Sequence, residues 1–150
     1  MKLAVALSER SDLQRRIAEL GVRLENNARV QEGEKPAEDP KALIDEMDNC
    51  LDELQGLVAR INLTNSKTVS AGESITEMLS HRDALGTRVR IMRAFLDKAS
   101  HLTDRYSRSE IKVVSTVDVA EMRKAVDADA RALRELDEKL QELNWTTELL

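Results

Sequence analysis

Three charged residues interrupt apolar stripes in this 150-residue chain, and they are the first candidates for chemistry. Arg10 falls between Leu7 and Leu13, Arg82 between Met78 and Leu85, and Asp129 between Val126 and Leu133. If the stripes are helical and neighbouring helices antiparallel, Arg10 and Arg82 lie at similar heights, about 12 Å from one end, with Asp129 roughly one turn higher. Two guanidinium groups and a carboxylate in an interior pocket would bind an anionic ligand. The alternatives are a polar layer that fixes helix register or oligomeric state, and side chains that snorkel to the surface. The structural readings take precedence, because a charge on a helical stripe is far more often paired or solvated than catalytic.

A second candidate is a loop charge cluster. Arg105, Arg108 and Lys112, with Arg29 expected nearby, have the composition of a phosphate-binding turn. Glu32, Glu34, Glu38 and Asp39 are expected at the same end, so mutual pairing of the two loops accounts for both charge sets without a ligand. His81 and His101 are 20 residues apart on one helix and cannot share a metal within a subunit. The spacings His-x-x-x-His and Glu-x-x-His are missing, as are a Gly-x-Ser-x-Gly elbow and a P-loop. The sequence therefore nominates no catalytic, metal-binding or cofactor-binding residue, and the expected protein is not an enzyme.

Composition narrows the classes further. Aromatic residues are 2 % of the chain, one each of Phe95, Tyr106 and Trp145, too few for a stacking platform for single-stranded nucleic acid. A formal charge of −5 gives no basic footprint for a duplex. The single Cys50 cannot close an internal disulfide, and its place on an apolar stripe predicts a buried, inert thiol. The opening Met1-Lys2-Leu3-Ala4-Val5-Ala6-Leu7 is too short an apolar run for a signal peptide, and no stretch approaches the roughly 18 apolar residues of a membrane-spanning helix. A cytoplasmic protein is expected, with membrane-surface action disfavoured.

These residues need elements to position them, and the apolar spacing supplies four. Stripes at steps of three and four predict helices over about 2–29, 41–65, 75–103 and 118–144. Asp39 before Pro40 reads as an N-cap with proline at the first helical position. Ser74 with Glu77, and Asp118 with Glu121, have capping-box spacing. Five glycines and two prolines leave little material for turns. Thr68-Val69 and Ser74-Ile75 would make a small hairpin, and the β-branched run Ile111 to Val117 predicts a short strand or an extended segment. That run can lie beside Ala28 to Gln31 within one chain, whereas pairing it with the hairpin would require a head-to-tail neighbour. Gly56 and Gly86, at similar heights on successive helices, predict a close backbone approach that offsets their helix penalty of about 1 kcal/mol each. The simplest assembly is one domain: an elongated antiparallel four-helix bundle with coiled-coil-like seams narrow enough to leave faces for a second subunit.

The wording of the connections is distinctive. Asn26-Asn27-Ala28-Arg29-Val30-Gln31-Glu32-Gly33-Glu34 followed by Asp39-Pro40, Arg105-Tyr106-Ser107-Arg108-Ser109-Glu110-Ile111-Lys112 with Val114-Ser115-Thr116-Val117-Asp118-Val119, and Gln141-Glu142-Leu143-Asn144-Trp145-Thr146-Thr147 resemble runs in the septicolysin-like family of small bacterial helical proteins. The likeness spans nearly the whole chain. Its family name implies a cell-lysing helical protein, and it transfers no site residue. The expectation carried forward is an all-α, non-enzymatic structural or interaction protein that forms a homo-oligomer through helix faces and connection motifs. Its alternatives are a helical cytolysin and a ligand-binding or enzymatic oligomer with a site at a subunit boundary.

Overall fold

The computed structural model describes residues 1–102 and 111–150. The fold is all-α and bundle-like in class: α1 (Leu3–Asn26), α2 (Pro40–Lys67), α3 (Ile75–Ser100) and α4 (Val119–Thr146), with a two-stranded antiparallel sheet of β1 (Val69–Ser70) and β2 (Glu73–Ser74). The chain divides into two compact units, one of residues 1–74 with 143–150 and the other of residues 75–142.

In the first unit, α1 and α2 run antiparallel. Leu3, Ala6, Leu13 and Leu20 of α1 and Leu43, Cys50, Leu57, Ile61 and Thr64 of α2 are buried. The first helix starts without a side-chain cap at Lys2, and its leading amide, Leu3 N–H, donates instead to the Thr147 carbonyl at 2.9 Å. It stops three residues before position 29, the expected end, with Asn27 as its C-cap. The Arg23 carbonyl accepts both the Asn27 N–H at 3.1 Å and the Asn27 side-chain Nδ2 at 2.8 Å. The second helix starts as read from the sequence, with Pro40 at its first position and the Asp39 carboxylate accepting from Lys41 N–H at 3.1 Å.

The hairpin after α2 pairs Val69 with Ser74 and Ser70 with Glu73. Its two central residues, Ala71 and Gly72, have φ of 52° and 91°, the positive values that a tight two-residue hairpin requires. Ala71 is strained in that region, whereas Gly72 is not.

In the second unit, α3 and α4 are also antiparallel, joined by a core of Val89, Leu96, Val126 and Ala130 with Met92, Val119 and Met122 packed against it. The fourth helix is capped as its spacing predicts, by the Asp118 carboxylate accepting from Glu121 N–H at 3.1 Å. Residues 111–117 form no strand, contrary to the sheet reading of their β-branched run, and residues 28–31 form none either. Propensity alone does not make a strand without a ladder partner; here Ser115 Oγ donates to the Val117 carbonyl at 3.1 Å and bends the segment.

The glycine expectation is corrected. A Cβ placed at Gly21 or Gly56 would meet nothing within 4 Å, and one at Gly86 would meet only the Leu133 Cδ2 at 3.9 Å, an ordinary contact. No helix backbone approaches closely at these positions. Gly86 and Gly56 instead border open surface grooves of about 470 and 330 Å³.

Candidate functional site

Arg10 lies on α1 in the first unit, whereas Arg82 on α3 and Asp129 on α4 lie in the second, so each is described within its own unit. Within the second unit Arg82 and Asp129 do not pair with each other. The Arg82 guanidinium bonds the neighbouring Asp83 carboxylate at 2.9 and 3.1 Å and stands 3.9 Å from Asp137 on α4. Asp129 accepts from Arg88 Nε at 3.1 Å. Antiparallel register explains the choice: six residues forward on α3 correspond to eight back on α4, so each acid meets the arginine at its own level. These pairs are half-exposed and cross the helix pair at its rim, where such pairs stabilise weakly. The groove over Gly86 holds Arg82 and Arg90 with Asp83 and Asp137, two charges of each sign, and so presents no net attraction for an anion.

Arg10 behaves differently. Its Nε is fully covered and makes no hydrogen bond, although its stripe neighbours are apolar. A buried donor without an acceptor loses its hydration and recovers nothing, a cost of roughly 1 to 3 kcal/mol. Of the three charges read from the stripes, it is the one with a covered polar atom that has no hydrogen-bond partner.

The loop charge cluster is only partly within the described residues. Arg105 and Arg108 lie outside them, and Arg29, Glu32, Glu34 and Lys112 are exposed and form no ion pair with a described residue. The residues that organise the first connection are Arg23, Asn27 and Glu38. Arg23 Nε donates to both Glu38 carboxylate oxygens, at 3.2 and 3.1 Å, and Nη2 adds a third bond to the same group. Asn27 Oδ1 accepts from Glu38 N–H at 3.0 Å, tying both sides of the connection together. The hydrogen bond from Arg23 holds the Glu38 carboxyl below the usual carboxylate range, against the opposing effect of burial. A matching contact further along, Arg16 to Glu46 at 2.7 and 3.0 Å, raises the Arg16 pKa. Among the motif residues, the Asn26-Asn27 pair just before a polar connection was the signal: asparagine at a helix end is a capping residue.

A further cluster lies where the first unit gathers both ends of the described chain. Lys2 and Glu148 form an antiparallel bridge, with Leu149 N–H donating to the Met1 carbonyl at 2.8 Å. The Lys2 ammonium at 2.6 Å and the Met1 amino group at 3.0 Å hold the Glu148 carboxyl below its ordinary pKa, the Lys2 bond having the larger effect. Leu150 N–H donates to the buried Thr64 Oγ1 at 3.0 Å, and Arg60 Nε donates to the Leu150 carbonyl at 2.8 Å. Nothing in local sequence marks this knot, because its bonds join residues up to 147 apart.

Cys50 is buried with a free thiol. Among the described residues no three His, Cys, Asp or Glu side chains converge as a metal site, and no helix is long and apolar enough to cross a membrane.

Residues 10–149 match the family described as "Family of unknown function (DUF6847)". The chain belongs to this family. Its DUF6847 fold is similar to a crystal structure of a functionally unknown conserved protein from Corynebacterium diphtheriae, with a TM-score of 0.93 and 44 % identity over 100 % of this chain and 99 % of that one. A comparison with curated proteins finds no match. In this DUF6847 chain the connection between α1 and α2 is closed at its ends by hydrogen bonds of Asn27, Glu38 and Asp39.

Proposed function

We propose that this DUF6847 protein is a non-enzymatic structural or interaction protein of the cytoplasm that self-associates through its helix faces. One observation carries the reading. Phe95 and Trp145, the two aromatic residues among those described, are 41 % and 64 % exposed rather than packed in a core. A chain with so few aromatics that leaves them outside is furnished for contact, since aromatic anchors are enriched at interfaces. The polar clusters support it from the other side: their charges are consumed in joints that hold the helices, not gathered in a cleft. Light scattering on the full chain tests the reading. A defined multimer is expected, and a strict monomer across a broad concentration range would overturn it.

A second reading draws on Arg10, whose covered and unbonded Nε favours a ligand-binding oligomer. Under that reading Arg10→Met abolishes an anion adduct in native mass spectra. Under the first reading no adduct is present and the variant is as stable as the parent or more so. The finer family likeness, to septicolysin-like proteins, implies lysis. Dose-dependent leakage from liposomes at low protein concentration would place that activity ahead of self-association.

A further inference from the structure

We propose that the outer face of α2 in one copy packs against the outer face of α3 in a second copy. The inference rests on the self-association reading and names its surfaces. Beside its buried stripe, α2 carries another: Ile44, Met47, Leu51, Leu54 and Val58 follow one another at alternating steps of three and four. This is the spacing of a coiled-coil seam, which an isolated helix has no reason to maintain. Ile44 and Leu51 are exposed, and Leu51, Leu54 and Val58 line a shallow groove of about 520 Å³. On α3, Ala84, Ile91 and Phe95 stand exposed at steps of seven and four, with Leu102 exposed just past the helix end. These side chains point away from the Val89–Leu96 core stripe, so α4 does not cover them.

Charge selects the pairing. Between Ile44 and Val58, α2 carries Asp45, Glu46, Asp48, Asp52 and Glu53 and no base. Between Ala84 and Lys98, α3 carries Arg88, Arg90, Arg93 and Lys98 against Asp97 alone. Either helix packed on its own counterpart would set like charges together, whereas α2 on α3 sets opposite signs across an apolar seam. Glu46 and Arg88 are already engaged within their own units, with Arg16 and Asp129. Asp48 beside the α2 stripe and Lys98 beside the α3 stripe make no ion pair with a described residue and are placed to form the rim contact. One stripe of a few side chains is small against the roughly 800 Å² that a standard interface takes from each partner. A closed assembly in which every copy uses both faces doubles the buried surface.

Because the two faces differ, single variants can complement each other. The full chain, Leu51→Glu, Phe95→Glu and an equal mixture of the two variants are compared by sedimentation velocity, with circular dichroism as the fold control. The parent is expected to be a multimer and each variant a folded monomer. The mixture should regain mixed complexes, since the Phe95→Glu chain keeps its α2 face and the Leu51→Glu chain keeps its α3 face. If a variant unfolds, Leu51→Gln or Phe95→Gln replaces it. Asp48→Lys and Lys98→Glu should each weaken association about tenfold, and combining them should restore most of it. A multimeric parent whose mass neither face variant changes overturns this inference and leaves self-association standing. Loss with Leu51→Glu but not Phe95→Glu means that α2 meets something other than α3, which also overturns it. A monomeric parent overturns both readings.

Discussion

The α1–α2 pair and the α3–α4 pair are built from the same kind of amphipathic helix but are closed to different degrees. In the first, the backbones approach closely, Arg16 to Glu46 bridges the helices while Arg23 to Glu38 ties α1 to the connection, and Leu3, Leu20, Ile61 and Thr64 are essentially inaccessible. In the second, the backbones stay further apart, and the core is the short Val89, Leu96, Val126 and Ala130 cluster with methionines filling beside it. Long side chains at a helix contact set a wider separation, and Met92, Met122 and the rim arginines are long. The first unit also holds the bridge between Lys2 and Glu148 and the cap that Thr147 gives to α1. Sealing between partners does not empty the outer faces of either pair: α2 still exposes Ile44 and Leu51, and α3 exposes Ile91 and Phe95.

Four perturbations break or sharpen this contrast. The largest effect is expected from core truncation: Leu20→Ala should cost about 3 kcal/mol, and Val126→Ala only about 1 to 2, by urea denaturation. Equal losses would erase the distinction between the pairs. Next, Asn27→Ala should cost about 1 to 2 kcal/mol, because Glu38 N–H loses its acceptor inside a half-buried joint, while the Arg23 carbonyl keeps the residue 27 N–H and loses only its second donor. A negligible loss would mean that water substitutes for the amide and the joint is ornamental.

Asp129→Leu, at the rim of the looser pair, should leave stability within about 1 kcal/mol of the parent and the solution mass unchanged. A changed mass would assign Asp129 a register role after all. The smallest effect concerns acid. Glu38 and Glu148 have pKa values depressed in the folded protein by Arg23 and by Lys2 with the Met1 amine. Their stabilisation is therefore present above the ordinary carboxylate range and lost as pH falls through the lowered values. Replacing both with glutamine should flatten the acid limb of the stability profile.

Much of the fold was legible locally. Apolar spacing located all four helices within three residues at either end, and Asp39-Pro40 and Asp118 marked two starts correctly, since caps act over three residues or fewer. Of the two readings of the Ile111–Val117 run, strand or extended segment, the strand fails because β propensity reports a side-chain preference and a strand is a pairing. The Gly56–Gly86 approach misled for a related reason: glycine permits close packing but does not attract a helix. The partners of Arg82 and Asp129 were not legible, because Asp129 and Asp137 stand about 12 Å apart along α4 and only the antiparallel register decides which of them is level with Arg82.

What the chain's order of residues determined alone is everything carried by neighbours: helix lengths, caps, the two-residue hairpin turn, the acidic character of α2 and the basic character of α3. Tertiary structure decided which carbonyl caps α1, which carboxylate holds Arg23, and that Arg10 Nε is left without an acceptor. Those outcomes depend on groups brought together from distant positions, and no window of sequence contains both members of such a pair.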